Sequence, residues 1–263
     1  MADPRRITVL HVAPHPDDEL LGAPATLMAL RDAGHRVVNL AVGLGRPADR
    51  PRRRRELEAA CAAAGFELLV AAGAPGIGAS DDLAAARAAL AALLGRALDE
   101  LRPALVVSPS PHDRHHGHEV VARALFDALE SRPVPPAWWM WGLWGPLPLP
   151  TLVVPVDEAR IEEVLAALGE HAGELARNDY RRLLSGRAQA QAVLGAELVF
   201  GFGAPALGAP GAELLTEARR DGRGAWRLGA PRLLDPARPL AAADGPDARA
   251  WLEAPSAAGL VLR

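Results

Sequence analysis

Short apolar, β-branched runs alternate with longer helix-patterned stretches along this chain, and that alternation constrains its fold more than any other feature. Ile7 to Ala13, Val37 to Val42, Glu67 to Ala71 and Ala104 to Val107 read as buried strands. Between them the pattern predicts helices: one opened by Pro24 and stopped at Gly34, one from Pro51 to Ala64, one capped by Asp81-Asp82 and running to about Leu101, and one from Val120 to Leu129. Strands separated in this way specify an α/β fold, a Rossmann-like, doubly wound and mostly parallel sheet with helices on both faces. Further on, Leu152 to Val156 reads as a strand, Asp157 caps a helix from Glu158 to Leu168, Ala172 to Leu194 reads as one long helix, and Glu197 to Phe202 as a last strand. Past Gly203 the glycine and proline content rises and the periodicity fades, so two units are expected, 1–203 and an appendage of unassigned role, 204–263.

Two of the connections carry the ionisable side chains. The first strand runs into Pro14-His15-Pro16-Asp17-Asp18-Glu19, and the fourth into Ser108-Pro109-Ser110-Pro111-His112-Asp113-Arg114-His115-His116-Gly117-His118-Glu119, with four of the eight histidines. In open α/β sheets ligands bind beyond the carboxyl ends of the strands, so both loops stand at the mouth of that crevice. Asp17 and Asp18 could instead cap a short helix. The histidine density of the second loop favours metal binding over a solvated connection. Two imidazoles and a carboxylate with an open position suit a Zn²⁺ that activates water, and they suit Fe²⁺ as well.

Composition removes several alternatives. All 29 basic residues are arginine, which excludes a Schiff-base lysine and a P-loop lysine. The single cysteine, Cys61, excludes an intrachain disulfide and a Cys-based metal site. A net charge of -3 gives no footprint for nucleic acid. The absence of a long uncharged apolar run and of a secretory segment in Met1 to Arg6 leads to the expectation of a cytoplasmic protein with no membrane span. A dinucleotide-dependent oxidoreductase needs a glycine fingerprint directly after the first strand, where Pro14-His15-Pro16 stands.

The first loop, Ala13 to Glu19 with Gly22, resembles the A-H-P-D-D-E-x-x-G signature of the PIG-L/LmbE-like superfamily of zinc-dependent N-acetylglucosaminyl deacetylases. His112 to His118 resembles that family's N-D-x-H-P-D-H loop, and Trp138 to Leu147 its Y-E-V-W-S-P-L strand. The resemblance covers residues 7 to about 203. It implies that His15, Asp18 and His118 are metal ligands, that Asp17 is the general base, and that His115 polarises the carbonyl or stabilises the oxyanion. It places Arg53, three residues before Glu56, where the family reaches substrate hydroxyls or phosphate. Residues 1–203 would then be a metal-dependent deacetylase-like catalytic domain, acting on an N-acetylglucosamine conjugate or a related N-acyl small molecule. Two departures matter: Pro24-Ala25 stands where the family usually has Gly-Gly after the first motif, which leaves the site intact but stiffens the next helix, and His116-Gly117 replaces the family's Pro-Asp, so the carboxylate expected to orient His115 is missing, and Asp113 or Glu119 is expected to replace it. The second departure also sustains a rival reading, a metal-binding regulatory member of the fold without catalysis.

Four of the six tryptophans fall between Trp138 and Trp144. Strand alternation sends Trp139 and Trp141 to one face and Trp138 to the other, and Trp141 and Trp144 are the expected stacking surface for a sugar or acyl group. The oligomeric state stays open, a homo-oligomer included.

Overall fold

The computed structural model describes residues 6–78, 81–240 and 243–255. Met1 to Arg5 of the expected leaderless start and 256–263 of the expected appendage lie outside the described residues. In chain order the elements are β1 (Thr8–Ala13), α1 (Asp18–Leu21), α2 (Pro24–Asp32), β2 (Arg36–Ala41), α3 (Arg50–Ala64), β3 (Glu67–Val70), α4 (Leu83–Leu101), β4 (Leu105–Pro109), α5 (His116–Glu130), β5 (Ala137–Trp141), β6 (Leu152–Val156), α6 (Glu158–Leu168), α7 (Ala172–Arg177), α8 (Tyr180–Phe200), β7 (Gly211–Arg220), β8 (Trp226–Gly229), β9 (Arg232–Leu233), β10 (Asp244–Asp247) and α9 (Arg249–Glu253).

The helix starts follow capping chemistry. Asp82 accepts from the N–H groups of Ala84 and Ala85, Asp157 from Arg160, and Asp179 from Arg182. Pro24 opens α2 where its missing N–H costs nothing, and the next free donors, Ala25 and Thr26, are taken by the Glu213 carboxylate from β7.

Five strands lie parallel in the order β3-β2-β1-β4-β5. Successive side chains on each strand go to opposite apolar layers: Val9 enters one, Leu10 and Val12 the other. The first layer packs against α2, α3 and α6, the second against α4 and α5. This is the expected α/β architecture with a mostly parallel sheet, and the order reverses between β1 and β4.

Three expectations about the second half are corrected. Glu197 to Phe202 is not a strand: α8 runs to Phe200, with Ala188, Ala192, Ala196 and Val199 buried at helical spacing. The long helix expected from Ala172 is two helices, because Asn178 is extended and Asp179 caps a new start. The boundary at 203 does not separate two folding units. β7 pairs antiparallel with β6 through Gly211 to Leu215, with β5 through Thr216 to Ala218, and with β8 through Ala218 to Arg220. Residues beyond 203 therefore complete the same sheet.

Candidate active site

Because β1 and β4 are neighbours at the point where the strand order reverses, the loops that follow them open onto one crevice. After β1 the chain turns through Pro14 and Pro16 into Asp17, whose φ of 106° lies in the left-handed region that non-glycine residues rarely occupy. Asp17 precedes α1 but makes no side-chain capping bond, which removes the capping reading for it. Asp18 is turned the other way. Its Oδ2 lies 3.2 Å from His15 Nδ1 and accepts from the His15 backbone N–H at 2.8 Å, while Oδ1 lies 3.3 Å from His118 Nε2.

The second loop supplies His115 and His118 because α5 begins at His116, earlier than the periodicity suggested. His118 stands in the first turn, and its Nδ1 lies 2.7 Å from Asp113 Oδ2. The other Asp113 oxygen accepts from the N–H groups of Leu143 and Trp144 at 2.5 and 3.0 Å. Glu119 accepts from the Arg114 N–H. The expectation that Asp113 or Glu119 orients His115 is thus corrected: Asp113 holds His118, fixing a proton on Nδ1 and turning Nε2 toward Asp18. His115 caps α5 instead, its Nδ1 accepting from the His118 N–H at 3.4 Å, so a neutral ring carries its proton on Nε2. Ring nitrogens of His15, His115 and His118 lie within 4.8 Å of one another. Gly117 permits this crowding, since a Cβ there would come within 3.0 Å of the His15 ring.

Electrostatics separate the adjacent carboxyls. Burial, then the charges of Asp18 and Glu19, push Asp17 well above the usual carboxylate range. Burial acts on Asp18 in the same sense, but His118 and His15 outweigh it and hold that carboxyl well below its ordinary value. Burial opposes charge on His118, yet Asp18 and Asp113 raise it to about 10. His115 is lowered to about 3 by burial and by the neighbouring histidines.

Above these groups lies a cavity of about 520 Å³ lined by His15, Asp17, Asp18, His115 and His118, with Arg53, Trp144 and Tyr180 on its walls. Trp144 is 47 % exposed and stacks on His115 with ring centroids 5.7 Å apart. Trp141 is a correction: at 1 % exposed it lies under the site rather than against a substrate, because β5 is an interior strand. Its indole N–H points to His11 Nε2 at 3.2 Å and its ring meets His118 edge to face. A Cβ on Gly22 would lie 2.5 Å from the same indole. Gly22→Ala is therefore expected to destabilise the fold by about 1–3 kcal/mol through overpacking, read by denaturant unfolding. Arg53 reaches the cavity but is engaged, 3.1 Å from Glu174 and donating to the Pro16 carbonyl at 3.2 Å.

The sequence reading missed Glu174 and Tyr180 on the cavity wall, and His171, whose Nε2 lies 2.5 Å from Glu19 Oε1. Burial opposes charge on His171 as well, but Glu19 outweighs it and raises the imidazole above its ordinary value. No local signal marks His171 and Glu174 as part of the site, since the partners that tie them to it, Glu19 and Arg53, lie more than a hundred positions away. A larger hollow of about 670 Å³ opens at the other end of the strands, among Arg102, Arg132 and Val134, and its lining includes no histidine. The smaller, histidine-lined cavity is the one onto which both loops open.

Solved structures share this architecture. The A40926 pseudoaglycone deacetylase Dbv21 is 20% identical, with 81% of this chain and 96% of that one covered at a TM-score of 0.62. The N,N'-diacetylchitobiose deacetylase from Pyrococcus horikoshii is 18% identical, with 80% and 83% covered at 0.57. GalB, the 4-carboxy-2-hydroxymuconate hydratase from Pseudomonas putida KT2440, is 16% identical, with 80% and 95% covered at 0.58. Likeness at these identities shows the fold, and the fold serves more than one reaction. No curated protein sequence matches the chain. Residues 10–129, which hold both loops, match the family model of PIG-L, GlcNAc-PI de-N-acetylase, so through that segment the chain is similar to the PIG-L family.

Proposed function

We propose that this chain is a divalent-metal-dependent hydrolase, with Zn²⁺ as the metal and Fe²⁺ as the alternative the same donors accept, that removes an N-acyl group, in the simplest case acetyl, from an amino-sugar conjugate or related small molecule. The observation that carries this reading is the division of labour between adjacent carboxylates: Asp18 sits between two imidazoles, while Asp17 faces the cavity without a capping partner. The donor set fits the metal. His15, Asp18 and His118 supply two nitrogens and a carboxylate, and Asp113 fixes the His118 tautomer as such a ligand requires. A cation held there supplies Lewis acidity and makes water nucleophilic at neutral pH.

The remaining steps belong to the chain. Asp17 takes the proton from water as its oxygen attacks the acyl carbon, and the His115 Nε2–H donates to the acyl oxygen as charge grows on it. The C–N bond then breaks, Asp17 returns the proton to the departing amine, and the acid product leaves. Raised Asp17 and lowered Asp18 suit a proton carrier beside a permanent anion. Trp144, stacked on His115 at the cavity wall, offers a sugar ring an aromatic face, and Arg53, also on the lining, offers a guanidinium donor.

The test is metal analysis of the purified protein followed by primary-amine release over a panel of N-acetylglucosamine conjugates. Metal-dependent amine release from any of them supports the reading, and stoichiometric metal with no release from all of them returns the chain to a binding role. Asp113→Asn is expected to weaken metal affinity about 10- to 100-fold by removing the anion that orients His118, measured by competition with a chelator.

A further inference from the structure

We propose that His171 and Glu19 are positioning residues that clamp the Pro16–Asp17 peptide and so hold Asp17 in the left-handed conformation that turns its carboxylate to the cavity. This rests on the reading of Asp17 as the proton carrier. Both residues are 0 % exposed and neither lines the cavity, so neither touches a ligand there. A carboxylate is buried this deeply only when its oxygens are satisfied. Glu19 Oε1 meets His171 Nε2 at 2.5 Å, and Oε2 accepts the Asp17 backbone N–H at 3.0 Å. His171 is itself fixed by α7, its carbonyl accepting from Glu174 and Leu175 at 3.1 and 3.0 Å.

The same short helix reaches the other side of the peptide. Glu174 pairs with Arg53 Nε at 3.1 Å, and Arg53 Nη2 donates to the Pro16 carbonyl at 3.2 Å. Pro16 C=O and Asp17 N–H are the two polar ends of one planar peptide, and α7 with its N-cap His171 secures each through one intermediary, Arg53 from Glu174 and Glu19 from His171. Asp17 can leave its φ of 106° for the ordinary negative region by flipping that peptide, which would break both contacts together. Strain at a reacting residue persists where its surroundings over-determine it. Here α7, far away in sequence, does so.

The experiment compares crystal structures and kinetics of wild type, Glu19→Ala, His171→Ala and Glu19→Gln. In Glu19→Ala and His171→Ala, Asp17 is expected to leave the positive-φ region, and kcat for amine release to fall about 10- to 100-fold while KM and bound metal stay near wild type. Glu19→Gln keeps an oxygen for the Asp17 N–H and is expected to retain the positive φ and most of kcat. Should either alanine variant fail to fold, the other and the glutamine variant carry the test. Asp17 remaining at positive φ in the alanine variants overturns the clamp, as does a kcat loss matched by metal loss or left unrescued by glutamine. If wild type releases no amine, the proposed activity fails, while the Asp17 conformation still decides the clamp.

Discussion

Asp17→Asn is expected to lower turnover by about 10²- to 10⁴-fold with bound metal unchanged, the range for removing a general base. Asparagine keeps the size and the backbone tolerance for left-handed φ, so the loop that places Asp18 is not disturbed. What it loses is the ability to accept a proton. Burial and two neighbouring carboxylates raise Asp17, so it can both take a proton and return it. Steady-state amine release with parallel metal analysis reads the result. An unchanged rate would leave Asp17 without a chemical role, and loss of metal would mean that Asp17 and Asp18 have their roles reversed.

His15→Ala, Asp18→Ala and His118→Ala should each bring bound metal well below one per chain, because a three-ligand site cannot lose a donor and keep its protein side closed. Elemental analysis after dialysis checks this, and full retention in all three would reject the site. The sign of the pH effect follows from His118. Asp18 and Asp113 hold its proton up to a pKa of about 10, and Nε2 must lose that proton before it can bind a cation. Affinity should therefore weaken as pH falls, and metal uptake should release protons measurable in weak buffer.

The parallel strands and both loops were legible because their signals are local: apolar runs set β1 to β4, and the histidines and carboxylates follow them directly. What escaped was set by partners distant in sequence. Asp113 is two residues from His115, yet its rotamer is drawn to His118 by the Leu143 and Trp144 amides, which no spacing rule encodes. Trp141 looked available because strand alternation does not tell an edge from an interior strand. β7 was hidden by polar residues in a buried strand: Glu213 caps α2, and the Thr216 hydroxyl donates to the Leu149 carbonyl. Each is satisfied only by the finished fold, so the segment lacks the apolar run by which β1 is recognised.

That placement of β7 bears on how the proposed chemistry could be transplanted. Residues 10–129 bring all the proposed ligands, yet they stop short of β5, and a chain cut after Gly203 would keep β5 without the strand that covers it. The exposed border would be Ala137 to Trp141, tryptophan-rich and with open backbone donors and acceptors, a surface that recruits other chains. The same cut would remove Glu213 and uncap α2 just after the first loop. A graft of this centre onto another scaffold would have to carry a cover for β5 and a cap for α2, or the transplanted ligands would arrive on an adhesive, loosened support.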